Sequence, residues 1–259
     1  MDLPHNPFKH AIAKGTQQIG LWVTLPSTFT AELLATCGYD WLLFDSEHAI
    51  GDPITLFEQL QAAAPYPVNA VVRPASNDPV LIKRILDAGA LSLIVPYVEN
   101  PDEARAAVAA TRYAPRGIRG AAGITRATRY GTVPNYATRA SEEICLIVQV
   151  ESVTALGHIE EIAAIDGIDG IFVGPADLAA TMGHPGNPGH PEVVAAVEDA
   201  IRRIRKAGKP AGILTLDPVF VRRCIEIGTV FTAVDVDAAI LIRSAKKIAA
   251  EYKTDYKPL

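Results

Sequence analysis

Residues 145–177 read CLIVQVESVTALGHIEEIAAIDGIDGIFVGPAD. The stretch starts in a near-continuous apolar run, Cys145–Val150, crosses a segment of mixed helical character and ends in a second apolar run, Gly170–Val173. Runs without polar alternation are what a parallel strand buried on both faces requires, and the segment between them supplies the crossover. The same grammar extends both ways, with further runs at Ile19–Leu25, Trp41–Asp45, Ala70–Arg73, Leu91–Val98, Ala211–Leu216 and Val230–Val236. Asp52-Pro53, Asp78-Pro79 and Asn100-Pro101 each join a capping side chain to a first-turn proline, and Gly38, Gly89, Gly208 and Gly228 stand where helices should stop. Eight β-then-α units in 259 residues predict an α/β fold, a single (β/α)8 barrel domain over 1–259. Asn6–Lys14 reads as a helix closing the barrel floor. Two stretches break the grammar, Pro115–Ser141 and Gly183–Pro191, and both are expected as loops following strands on the catalytic side.

Composition narrows the function. The formal net charge is −5 and no basic cluster stands out, which argues against nucleic acid as a partner. No signal pattern opens the chain, and no apolar run reaches the roughly 18 residues of a membrane span. Cys37, Cys145 and Cys224 are scattered without CxxC spacing, so they read as small buried side chains in a reducing cytoplasm. Neither GxGxxG nor GxxxxGK[ST] occurs, which weighs against a nucleotide site.

Barrel enzymes place their chemistry at the C-terminal ends of strands. The polar groups that end the apolar runs are Asp45, Glu47 and His48; Arg73; Gln149 and Glu151; Asp177; and Asp217, Asp235 and Asp237. Carboxylates converging on one rim repel unless a cation sits among them, and oxygen ligands favour Mg²⁺ or Mn²⁺ over zinc. Plainer roles stand beside these. Asp45 and Glu47 could cap a helix or pair with an arginine, Asp177 could be a cap, and Arg73 could bind either a substrate carboxylate or Glu47. Glu151 lies on an otherwise apolar run, where an unpaired charge is costly, so ligation is favoured there. No lysine ends a strand, which argues against Schiff-base chemistry.

Several motifs then resemble the HpcH/HpaI family of class II pyruvate aldolases. They are IGLW (19–22), AELLA (31–35), EHA (47–49), VVRPxxNDP (71–79), EARxAVxATRY (103–113), GIRG (117–120), GPADL (174–178), GNPxHPEV (186–193) and GIL (212–214), from Asn6 to about Tyr252. The resemblance implies a divalent-metal-dependent carbon–carbon lyase using Mg²⁺, Mn²⁺ or Co²⁺. Its reaction would be reversible cleavage of 4-hydroxy-2-oxo acids, such as 4-hydroxy-2-oxoheptanedioate, to pyruvate and an aldehyde, with a place in aromatic catabolism. It implies Glu151 and Asp177 as metal ligands, with Arg73 on the pyruvate oxygen. His48 becomes the catalytic histidine, paired with Asp87. Gln149, Ala176, Asp177, Leu214 and Trp22 become substrate-binding positions. It also implies a homo-oligomer, trimer or hexamer, with the C-terminal helix exchanged between subunits. One departure is Asp235, where relatives carry glycine. The alternative is a related metal-dependent barrel lyase acting on an acyl-CoA or oxaloacetate-like acid.

Overall fold

The computed structural model describes residues 1–255, so the last four positions of the expected 1–259 domain lie outside the described residues. Eight parallel strands close into a barrel: β1 (Gln18–Val23), β2 (Trp41–Asp45), β3 (Asn69–Arg73), β4 (Ser92–Val95), β5 (Cys145–Val150), β6 (Gly170–Val173), β7 (Ala211–Leu214) and β8 (Thr229–Val236), with β8 pairing back onto β1. Three strands stop short of their apolar runs. Residues 24–25, 96–98 and 215–216 instead form the rim, where side chains are free to line a site.

Helices α2 (Thr28–Ala35), α3 (Pro53–Ala63), α4 (Pro79–Asp87), α5 (Pro101–Thr111), α10 (Pro191–Lys206) and α11 (Pro218–Ile227) surround the barrel. Asp52, Asp78 and Asn100 cap α3, α4 and α5 as expected. Asp217 turns out to be the cap of α11, its carboxylate accepting from Val219 N–H at 2.9 Å, rather than a polar group at a strand end. Gly38, Gly89, Gly208 and Gly228 all take positive φ, the left-handed conformation that lets a chain leave a helix.

The short helices are α1 (Pro7–Ala13), α6 (Tyr136–Glu143), α7 (Val153–Gly157), α8 (Ile159–Ala163) and α9 (Pro175–Thr181). Helix α1 closes the floor as expected. It inserts Phe8 against Trp41 (5.6 Å between ring centroids) and Phe231 (5.9 Å) inside the barrel. Gly212 leaves the room this packing needs, since a Cβ there would fall 2.0 Å from the Phe231 ring. A second apolar layer fills the space between strands and helices.

The stretch 115–141 does not lie on the catalytic side. It follows α5 rather than a strand, so it connects a helix to β5 at the opposite rim. Two of its arginines brace neighbouring segments: Arg126 donates to the Ala88 and Leu60 carbonyls, and Arg119 pairs with Asp87 at 2.8 Å. The other excursion, 183–191, lies between α9 and α10 on the catalytic side. Cys145 and Cys224 are buried, but Cys37 is exposed.

The long helix α12 (Asp237–Asp255) leaves the body after its first turn, with Leu241, Ile242, Ile248 and Tyr252 exposed. Its start is anchored by Asp237, whose carboxylate accepts from Thr24 N–H (2.9 Å), Thr24 Oγ1 (2.8 Å) and Leu25 N–H (3.1 Å). Asp235 sits in an irregular stretch of β8 and pairs outward with Arg243. No described helix is long and apolar enough to cross a membrane.

Candidate active site

At the C-terminal mouth of the barrel a cavity of about 740 Å³ is lined by Trp22, His48, Arg73, Gln149, Ala176, Asp177 and Leu214 among others, and its lining includes no lysine. These residues come from six different strand ends and the loops that follow them, far apart in sequence. The barrel alone brings them together.

Arg73 is held before any ligand arrives. Its Nε and Nη2 donate to the two oxygens of Asp45 at 2.9 and 2.6 Å, a two-pronged contact at the ends of the adjacent strands β2 and β3. Its guanidinium lies 4.7 Å over the Trp22 ring, and the Trp22 indole N–H donates to Asp45 at 3.3 Å. Burial works against the Asp45 charge, but the Arg73 hydrogen bonds and positive charge hold its carboxyl below the ordinary range. Asp45 therefore takes the plainer of its expected roles, orienting an arginine. Glu47 also reaches Arg73, with Oε2 2.8 Å from Nη1, though that oxygen has no aligned hydrogen bond. Burial pushes its carboxyl up.

Glu151 follows β5 and is 2% exposed. It accepts from the backbone N–H of Tyr97 at 2.8 Å and from the Gln149 amide. Burial, with the neighbouring charges of Asp177 and Glu47 added, lifts its carboxyl to about 7. Asp177 stands in the first turn of α9 and accepts from the Tyr97 hydroxyl at 2.9 Å. Tyr97 thus touches both carboxylates, one through its backbone and one through its phenol, whose pKa burial and Asp177 push up to about 12. Sequence reasoning missed Tyr97. Its backbone sits at φ 50° in the loop after β4, and only its place behind Pro96 at a strand end hinted at a role.

Gly174 keeps the space beside Glu151 open, since a Cβ there would lie 2.6 Å from Glu151 Oε2. Asp45, Glu47, Glu151 and Asp177 thus gather around Arg73, which Asp45 already pairs, while Arg223 on the far wall is taken up by Glu198. Two buried oxygens at the mouth, Glu47 Oε2 and Gln149 Oε1, lack a hydrogen-bond donor. An acceptor-rich pocket with an uncompensated buried carboxylate fits a hard divalent cation.

His48 is largely exposed at the mouth, its Nε2 3.9 Å from Glu47. Asp87 is not its neighbour. Helices in this barrel run back from the mouth, and Asp87 ends α4 at the opposite rim, where it is paired with Arg119. Within one chain the expected His48–Asp87 pair is absent.

Comparison with known proteins agrees with this picture. Residues 18–244 match the family model described as HpcH/HpaI aldolase/citrate lyase. A protein named pyruvate aldolase from Rhizobium etli is 59% identical over 254 residues, covering 98% of this chain and all of that one. A 4-hydroxy-2-oxo-heptane-1,7-dioate aldolase from Klebsiella pneumoniae is 52% identical, covering 96% of this chain and 94% of that one. A crystal structure of an HpcH/HpaI aldolase/citrate lyase family protein from Burkholderia cenocepacia superposes with a TM-score of 0.92 at 39% identity, covering 96% and 99% of the two chains.

Proposed function

The chain belongs to the HpcH/HpaI aldolase/citrate lyase family, and from that premise we propose that it is a class II pyruvate aldolase that cleaves and forms 4-hydroxy-2-oxo acids at this mouth. The observation that carries the proposal is that Arg73 and Asp177 line one cavity, with the buried Glu151 directly behind its Gln149 wall and within electrostatic reach of both. Glu151 and Asp177 are the residues that would hold a divalent ion, of which Mg²⁺, Mn²⁺ and Co²⁺ are candidates. Such an ion, when bound, offsets the negative charge that develops on a 2-oxo acid as its α-carbon gains carbanion character.

The side chains divide the remaining work. Arg73, fixed by Asp45 and supported by Trp22, presents a guanidinium to the keto oxygen where negative charge develops. The first-turn N–H groups of Ala176 and Asp177 have no partner within the helix and face the substrate carboxylate. The Gln149 amide orients near the pyruvate moiety. Leu214 gives the aldehyde an apolar wall. His48, exposed to solvent at the mouth, moves a proton to or from the aldehyde oxygen, directly or through water.

Assembly belongs to the same proposal. An apolar stripe left uncovered on α12 is unusual for a lone barrel and suits a homo-oligomer, trimer or hexamer, in which helices are exchanged. Any action of Asp87 on His48 would then come from a neighbouring copy. The reducing cytoplasm is the compartment that suits three unpaired cysteines.

The test is product analysis with pyruvate, Mg²⁺ or Mn²⁺, and a panel of aldehydes including succinic semialdehyde. Aldol products and metal-dependent exchange of the pyruvate methyl protons are expected. Neither appearing, or full activity in excess chelator, overturns the reading.

A further inference from the structure

A second cluster of metal-binding side chains lies at the other end of the barrel, away from the proposed chemistry. His5 precedes the floor helix α1, His10 lies on it, and Glu143 ends α6. His5 Nδ1 is 3.4 Å from Glu143 Oε2, and His10 Nε2 is 3.2 and 3.1 Å from the two Glu143 oxygens. The imidazoles stack at 4.7 Å between centroids, and the three ligand atoms all lie within 4.8 Å of one another. Bonds of roughly 2.0–2.1 Å to a tetrahedral zinc ion place neighbouring ligand atoms about 3.4 Å apart, close to both histidine-to-Glu143 spacings, and the two imidazole nitrogens lie within 4.8 Å of each other.

The surroundings hold the cluster in place. Glu143 is largely buried, and its Oε2 accepts from the Asn6 backbone N–H at 2.7 Å. The Asn6 amide bonds the Leu91 and Glu143 carbonyls, and Lys9 bonds the Ile144 carbonyl at 2.6 Å. Burial opposes the Glu143 charge, yet the Asn6 N–H and the two histidines keep its carboxyl below the ordinary range.

The other described triad, His184, His190 and Glu192, is less suited. Its rings stack at 3.5 Å, and His190 Nδ1 already accepts the Glu192 N–H as a helix cap.

We propose that His5, His10 and Glu143 form a binding site for a zinc-class transition-metal ion that ties the N-terminal arm to α6 and locks the barrel floor. Two imidazoles and one carboxylate discriminate against Mg²⁺, which prefers an all-oxygen shell, so this site and the mouth select different ions. The ion acts as a clamp: it binds only when the arm is docked, so it stabilises the folded chain by mass action.

The experiment uses full-length protein, stripped of metal and then saturated with Mg²⁺. Zinc bound per chain is measured by equilibrium dialysis and thermal unfolding is followed with and without Zn²⁺. Zinc at roughly a hundred times its Kd should raise the wild-type Tm by about 5–10 °C. His10→Ala, at a half-exposed position, should bind one zinc fewer per chain and lose the shift. Glu143→Gln, which still accepts the Asn6 N–H, should behave likewise, and His184→Ala should match wild type. Unchanged zinc binding in His10→Ala and Glu143→Gln, loss of the zinc in His184→Ala instead, or no Tm response in wild type would each overturn the proposal.

Discussion

Glu151 offers a quantitative test, because its surroundings move its carboxyl from an ordinary 4.5 to about 7. A displacement of that size separates the ionised and neutral forms by about 3 kcal/mol. Because the folded pKa is raised, the folded state prefers the protonated form. The stabilisation this group contributes is complete below pH 4.5 and is lost as pH rises through 7. Glu151→Gln removes the titration at nearly constant volume, and the Gln149 amide can turn its unpartnered oxygen toward the new NH₂ group. Without metal at pH 8, this variant should exceed wild type by about 2–3 kcal/mol, or roughly 4–12 °C in Tm. The gap should close at pH 4.5. The same proton must leave when a cation binds to wild type. Calorimetry in two buffers of different ionisation enthalpy should find about 0.9 proton released per ion at pH 6 and about 0.1 at pH 8. Proton release near zero at pH 6, or a glutamine variant less stable than wild type at pH 8, would refute the reasoning.

Arg73→Lys keeps the charge but loses the fork that grips Asp45, so pyruvate proton exchange should fall about 100-fold or more; an unchanged exchange rate would make Arg73 purely structural. Gly174→Ala pushes a methyl group into the Glu151 carboxylate, and metal affinity measured by calorimetry should drop at least about tenfold while the circular dichroism spectrum stays the same. Leu241→Glu combined with Ile248→Glu should lower the mass seen by light scattering to that of one chain. Asp235→Gly removes an outward ion pair with Arg243 and should cost less than about 1 kcal/mol in chemical denaturation.

Much of the fold was legible because parallel strands buried on both faces leave unbroken apolar runs, and because Asp52, Asp78 and Asn100 announce their helices next to proline. The errors arose where local sequence does not record direction. Residues 115–141 looked like a catalytic loop, but a long connection reads the same whether it follows a strand or a helix. Asp87 carried a role by resemblance, and its place at the far end of α4, which follows from the alternation of strand and helix directions, rules out only a pairing with His48 within one chain. Asp217 matched the Asp-Pro signature recognised elsewhere, and its position behind an apolar run hid the cap. At the mouth, Glu151 stood out because a charge on an apolar strand is conspicuous. Tyr97 did not, since its part depends on a backbone N–H and a positive φ that no side-chain pattern encodes.

The capping pattern around the mouth has an evolutionary consequence. Ser27, Asp52, Asp78, Asn100, Ser152, His190 and Asp217 each start a helix with their own side chain, and of these only Asp217 lines the mouth cavity. Helix α9 starts instead from Gly174, which has no side chain to cap with and whose Cβ position is claimed by Glu151. Helix initiation and ligand contact are therefore assigned to different residues in most of the loops. Those loops can drift in length and lining, and so in the aldehydes they admit, without unsettling the scaffold. The β6–α9 turn has no such freedom and should be the last part of the rim to change as the enzyme's substrate range diversifies.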